Sequence, residues 1–374
     1  MNIKKILAKN YVNFRGWSSS RKIVVIESDD WGSVRMPSKE VYEKMLAAGV
    51  PVNKNYFSTY DTLESKEDLE VLFELLSSYR DKNGNHPVIT ANAVVANPDF
   101  KKITETGKKE YHYELITDTY DRYPNHKGTF ELWKNEGITN RLLWPQFHGR
   151  EHLNVKKWMK VINSDKQNER LAFENEVLLG VGGDSSNRDY NYMAAFEYSN
   201  EAEKREIEEI TTDGLELFNK LFGFESKSFV ASCSVRGDHL DPVLKQGGVL
   251  YHQCGQQFVP DNGALKMINR YWGDKNKQGQ LYWRRNVTFE PSRDSKTDII
   301  NNALEEINVA FRWGKPAVIN SHRVNFCGGI DKENRENTLK LLKILLDKIV
   351  AKWPDVEFMT SDQLGQYITE STKR

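Results

Sequence analysis

An α/β fold, a single distorted (β/α) barrel of seven or eight strands, is what the sequence predicts. Short β-rich apolar runs alternate with amphipathic helical stretches, the pattern of a parallel sheet covered by helices. No internal repeat, low-complexity tract or flexible linker interrupts the 374 residues. A chain of this length could hold two or three domains, but α/β barrels of this size commonly form one.

The elements follow in order. Residues 1–20 read as an N-terminal extension, and residues 21–370 as the barrel domain. Residues 22–27 form a first buried strand. Ser38 then opens a helix that Gly49 closes. Ser65 to Asp68 caps a helix bearing Leu69, Leu72, Phe73, Leu75 and Leu76. Residues 87–95 and 142–147 are the next strands, and Pro145 should confine part of the latter to an edge or a strand end. Asn154 caps a helix with Trp158, Met159 and Ile162. Asn200 caps a long helix to about Leu221. Strands are expected at 228–232, 249–252, 287–290, 316–321 and 355–359. Helices are expected at 299–311, at Leu339 to Trp353 before Pro354, and after Ser361. Polar insertions fall near 100–135 and 255–285.

Composition excludes several classes. Lys+Arg and Asp+Glu both number 53, so the net charge is zero. A broad nucleic-acid surface needs a cationic excess, and so does a polybasic membrane surface. No run approaches the ~20 apolar residues of a membrane span. The N-terminus lacks the ~7–15-residue apolar stretch of a secretory signal, so a cytoplasmic location is expected. Cys233, Cys254 and Cys327 form no C-x-x-C pair, which leaves any metal to histidine and carboxylate.

Three short motifs carry chemistry. Glu27-Ser28-Asp29-Asp30-Trp31-Gly32 ends the first strand with two adjacent carboxylates, and such a pair needs a cation or a shared proton. A plain polar turn would read the same way. His148 and His152 sit four residues apart around a strand-to-helix turn, where both can grip one ion. The same letters fit His-x-x-Glu-His, with Glu151 as a peptidase base. That reading wants a sustained helix, against which Pro145 and Gly149 stand. His322 ends another apolar strand and can exchange protons near neutral pH, although a structural hydrogen bond would also place it there. Trp31, Trp144, Trp272 and Trp283 are candidate sugar platforms or core residues. Glu290 reads as a carboxylate supporting the site or as a strand-end cap. Gly180 to Gly183 misses a dinucleotide fingerprint and reads as a loop. Cys327 lies near His322, but nothing in the sequence lowers its pKa, so it is not read as a nucleophile.

Together these residues resemble the polysaccharide deacetylase family of carbohydrate esterases, over roughly residues 20 to 370. The family's Thr-Phe-Asp-Asp-Gly motif is similar to Glu27–Gly32, with Trp31 placed before the glycine. The resemblance implies Asp29 as base and Asp30 as metal ligand. His-x-x-x-His resembles His148 to His152, implying the other two ligands. Leu-x-His resembles Asn320-Ser321-His322, implying His322 as the acid. The family's Arg-Pro-Pro-Tyr, whose Arg orients the base, falls on Phe229 to Cys233, which has no Arg. Arg236 is the nearest candidate for that role.

The implied activity is metal-dependent removal of acetyl groups from N-acetylated oligo- or polysaccharides, with Zn²⁺ the expected divalent metal. Trp31, Arg236 and Arg323 are expected at the substrate, in an open cleft. An HxxEH-type metallopeptidase and a non-catalytic glycan-binding protein on a degenerate barrel are the alternatives.

Overall fold

A computed structural model of the chain describes residues 3–179, 191–293 and 298–372. The glycine-rich stretch Gly180 to Gly183 lies outside the described residues.

In chain order the strands are β1 (Ile23–Trp31), β2 (Ile89–Val94), β3 (Ala96–Pro98), β4 (Tyr113–Leu115), β5 (Leu143–Gly149), β6 (Ser228–Phe229) and β7 (Tyr251–His252). They continue with β8 (Gln256–Asp261), β9 (Ala264–Asn269), β10 (Leu281–Tyr282), β11 (Val287–Thr288), β12 (Ala317–His322) and β13 (Glu357–Phe358). Eight of them form one parallel path, β10-β7-β6-β5-β2-β1-β12-β11. The sheet is curled and open, a half-barrel. β13 adds a short parallel strand beside the start of β1, pairing Ile23 with Glu357 and Val24 with Phe358.

Burial on both faces explains why β1 reads as an apolar run. All nine of its residues are buried, the two aspartates included. Helices supply the outer layer. Leu69, Leu72, Phe73 and Leu76 of the helix Lys66–Ser77 are buried in the core, as are Leu342, Leu345, Leu346 and Ile349 of the helix Lys332–Lys352. The predicted caps are in place. Ser65 and Asp68 form a reciprocal capping box, Ser38 accepts from Val41, and Asn154 and Asn200 accept from Lys157 and Glu203.

Four predicted strands are shorter than expected. Residues 228–232, 249–252, 287–290 and 355–359 contribute only two paired positions each. Side chains there replace the ladder: Gln146 Oε1 accepts from the backbone N–H of Lys227 and Ser228 at 2.9 and 2.6 Å. Pro145 also behaves differently from its prediction, because β5 is an interior strand. The Phe147 N–H points to the β6 side, where it meets Ser226 Oγ at 2.8 Å. Pro145, two residues earlier, faces the same side, and β6 joins β5 only at Phe147. The missing N–H therefore costs no ladder bond.

The region near 100–135 holds the antiparallel pair β3–β4 and the helices Phe100–Glu105 and Ile116–Arg122. The region near 255–285 holds the hairpin β8–β9, turned at Asn262 and Gly263 with φ of 47° and 78°. It also contains β10, which belongs to the main sheet and which periodicity could not reveal in two residues. The helix Ile3–Tyr11 packs against the helix Ile299–Arg312, where Lys9 Nζ reaches Asn302 and Glu305 at 2.8 and 2.7 Å. Among the described residues no helix is long and apolar enough to cross a membrane.

Candidate metal centre

The end of β1 is irregular. Its register against β2 shifts between Ser28 and Trp31, and Asp30 has a φ of 74°. A left-handed conformation at a non-glycine residue is strained, and such strain persists where the surroundings hold it. Here it accompanies a side chain directed toward the end of β5. Asp30 Oδ1 lies 3.1 Å from His152 Nε2 and 3.5 Å from His148 Nε2. The three residues each offer a ligand atom, all within 4.8 Å of one another, and all three are buried.

The donor set fits a divalent ion. His148 Nδ1 donates to the Val230 carbonyl at 2.8 Å, which fixes the tautomer and leaves the Nε2 lone pair free. That Nε2 is buried and has no hydrogen-bond partner. Burial holds His152 below its ordinary pKa, in the neutral form a metal requires. Burial alone would raise Asp30, but His152, His148 and Arg35 together keep it well below the usual carboxylate range. One carboxylate and two imidazoles leave coordination positions open, as a catalytic site needs. The cluster can coordinate a divalent metal, consistent with a metal-dependent enzyme.

Parallel pairing of β1 with β12 sets Asp29 opposite His322. Asp29 is clamped by Arg285, whose Nη2 donates to Oδ1 at 2.8 Å and whose Nη1 donates to Oδ2 at 2.7 Å. Asn92 adds a bond to Oδ1 at 2.7 Å. Burial opposes ionisation of Asp29, but the guanidinium overrides it and holds the carboxyl far below its usual range. Arg285 also donates to Glu27 Oε2 and to Asn320 Oδ1, each at 2.7 Å. Behind His322, Glu290 Oε1 lies 2.5 Å from Nδ1. Nε2 faces Asp29 Oδ2 at 3.9 Å. Burial would lower His322, but Glu290 and then Asp29 push it up to about 9. Asp29, His322 and Arg285 line one cavity of about 420 Å³.

Several expected residues stand elsewhere. Trp31 is no sugar platform. It is 1% exposed, bonds Ser28 through Nε1, and packs against Trp133 and Phe326. Trp272 and Trp283 are equally buried. Arg236 does not orient Asp29, because its guanidinium is bound to Asp241 at 2.6 Å and to the Tyr282 hydroxyl at 2.8 Å. Arg323 cannot meet substrate: it is fully buried and paired with Asp61 and Glu64, each at 3.0 Å. Glu151 is held by Arg150 and Tyr111. With His148 on a strand and the next helix starting at Val155, the sustained helix of an HxxEH peptidase is absent here. Cys327 is buried, and burial raises its thiol well above the ordinary value, which argues against a nucleophile.

Arg285 was not singled out by sequence. Its only signal is the pair Arg284-Arg285 shortly before β11, in a stretch that reads as an insertion. Arg35 was also missed; it touches Asp30 Oδ2 at 3.4 Å and stands over the Phe57 ring.

No known family profile matches the chain, and no curated protein matches its sequence. Solved structures do resemble it in shape. An allantoinase shares 11% identity at a TM-score of 0.44, over 94% of this chain and 91% of its own. A protein provisionally described as a polysaccharide deacetylase, from Pseudomonas aeruginosa PAO1, shares 10% identity at 0.43, over 93% and 91%. A 4-alpha-glucanotransferase from Thermococcus litoralis shares 10% at 0.44, over 92% of this chain but only 40% of its own. Identities this low assign no activity.

Proposed function

We propose that the protein is a metal-dependent hydrolase that removes acetyl groups from N-acetylated oligo- or polysaccharides. One observation carries the reading. The cluster Asp30, His148 and His152 stands beside the Asp29 carboxyl, whose neighbour across the paired strands is the His322 imidazole. Asp30, His148 and His152 would hold the ion, and Zn²⁺ suits a donor set of one carboxylate and two imidazoles. A bound divalent ion supplies Lewis acidity toward an amide carbonyl and lowers the pKa of a water.

The residues around it divide the proton work. Asp29 Oδ1 accepts from both Asn92 and Arg285, whereas Oδ2 accepts from Arg285 alone. Oδ2 is therefore the oxygen with a lone pair left to take a proton from water. His322 is protonated at pH 7, and its Nδ1 is engaged by Glu290. Its Nε2–H is left to protonate the departing amine. The products are acetate and a free amino sugar.

The test is acetate release from an N-acetylglucosamine oligomer by the purified protein, with a metal-stripped control. Release that exceeds the control and returns on adding Zn²⁺ supports the reading. Binding of the oligomer without release would favour a glycan-binding protein.

A further inference from the structure

Arg284 lines the same cavity as Asp29 and His322. It is 4% exposed, yet among the described residues no carboxylate lies within ion-pair range of it. Its Nη1 donates to the Arg270 carbonyl at 3.2 Å. The Tyr271 ring, 5.4 Å from the guanidinium carbon, gives partial compensation. By contrast Arg236, Arg323 and Arg335, equally withdrawn from water, each meet a carboxylate at 3.0 Å or less, as does the less buried Arg285. A desolvated cation without a counter-charge is costly, and burial lowers the pKa of Arg284 accordingly.

The surroundings hold this side chain in place. A Cβ on Gly255 would lie 2.4 Å from Arg284 Cγ and 2.8 Å from Nε, so only glycine leaves room for it. Tyr271 is fixed in turn by the N-terminal segment. Its hydroxyl meets that of Tyr11 at 3.0 Å, and Arg15 stands over its ring at 4.6 Å. Val12 of the same segment lines the cavity. Among the described residues, the cations Arg284, Arg285 and His322 face the cavity with a single carboxylate, Asp29, which Arg285 neutralises.

We propose that Arg284 is a specificity-determining residue that receives an oxyanion on the substrate, so that the enzyme acts on acidic sugars. This rests on the hydrolase reading of the same cavity. The guanidinium fork pairs with a carboxylate or a phosphate through two parallel N–H bonds, and either would supply the missing counter-charge. A uronic acid and a sugar phosphate carry this chemistry.

Calorimetric titration of the full-length protein with glucuronate, glucose 6-phosphate and neutral glucose tests the assignment. At least one acid should bind about tenfold or more tighter than glucose, a difference of ~1.4 kcal/mol. Which acid wins separates a carboxylate from a phosphate partner. Arg284→Met should abolish the preference. Gly255→Ala keeps the charge but displaces the side chain, and should abolish it too, which preserves the test if Arg284→Met fails to fold. Absence of an acid preference in the intact protein, or its survival in both variants, overturns the proposal. Acid preference through Arg284 without any acetate release would defeat the deacetylase reading and leave the oxyanion site standing. Acetate release with no acid preference would do the reverse.

Discussion

Replacing Arg285 by methionine should expose how the site is held. The guanidinium makes three bonds of 2.7–2.8 Å to two buried carboxylates, Asp29 and Glu27. Removing one partner of a buried ion pair costs about 3–5 kcal/mol, because the other charge remains buried and unpaired. Against a total stability of about 5–15 kcal/mol, the variant should still fold but with a much reduced urea midpoint. The deficit should also depend on pH. In the intact protein Asp29 titrates below its unfolded value of ~3.9, so its contribution is present above that pH and is lost as pH falls through the folded value. In Arg285→Met the main charge that opposes burial is gone, so Asp29 and Glu27 take up protons more readily and relieve the strain. The gap between the two proteins should therefore narrow from pH 7 to pH 5. Arg285→Lys, with one charge and no fork, should recover part of the loss. Urea unfolding at both pH values measures this. A deficit under about 1 kcal/mol at pH 7, or one equal at both, would refute the clamp.

Asp29→Asn and His322→Ala should each lower kcat by about 10²–10⁴ while zinc content, read by elemental analysis, stays the same. Activity should fall as pH rises through the His322 value of about 9, since the acid form exists only below it. A bound dication adds positive charge and moves that limb lower. The stability that the Glu290 contact gives is full below the unfolded value of ~6.5 and is lost through about 9, which a pH series of denaturation curves reads. Trp31→Ala should cost about 3–5 kcal/mol as a core cavity and weaken short and long glycans equally, as titration of both would show.

Much of the site was legible because two strands are written as apolar runs. β1 and β12 are buried, so their residues are nearly all Val, Ile or Ala until the chemistry begins. Asp29 and His322 stand where those runs stop, and parallel register sets them side by side. His148 and His152 were visible as a pair, although they occupy a strand end and the following turn, not one helix face. Arg285 was not legible, because its partner Asp29 lies on another strand and no spacing joins them. Trp31 and Arg323 misled for the opposite reason. Each adjoins a site residue in sequence, but the bulge at Asp30 and the turn after His322 send them into the interior. Four two-residue strands, β6, β7, β11 and β13, were legible in place but not in length, which is set by how few positions their neighbours pair, and β10 was too short to read at all.

The most direct measurement is the position of a metal in crystals of the protein grown with zinc, read from anomalous scattering at the zinc edge. The account predicts one peak bonded to Asp30, His148 and His152 at ~2.0–2.2 Å, which disappears in His148→Ala. Crystals in which those three side chains enclose no peak, or in which zinc binds elsewhere and His148→Ala leaves it untouched, would contradict it.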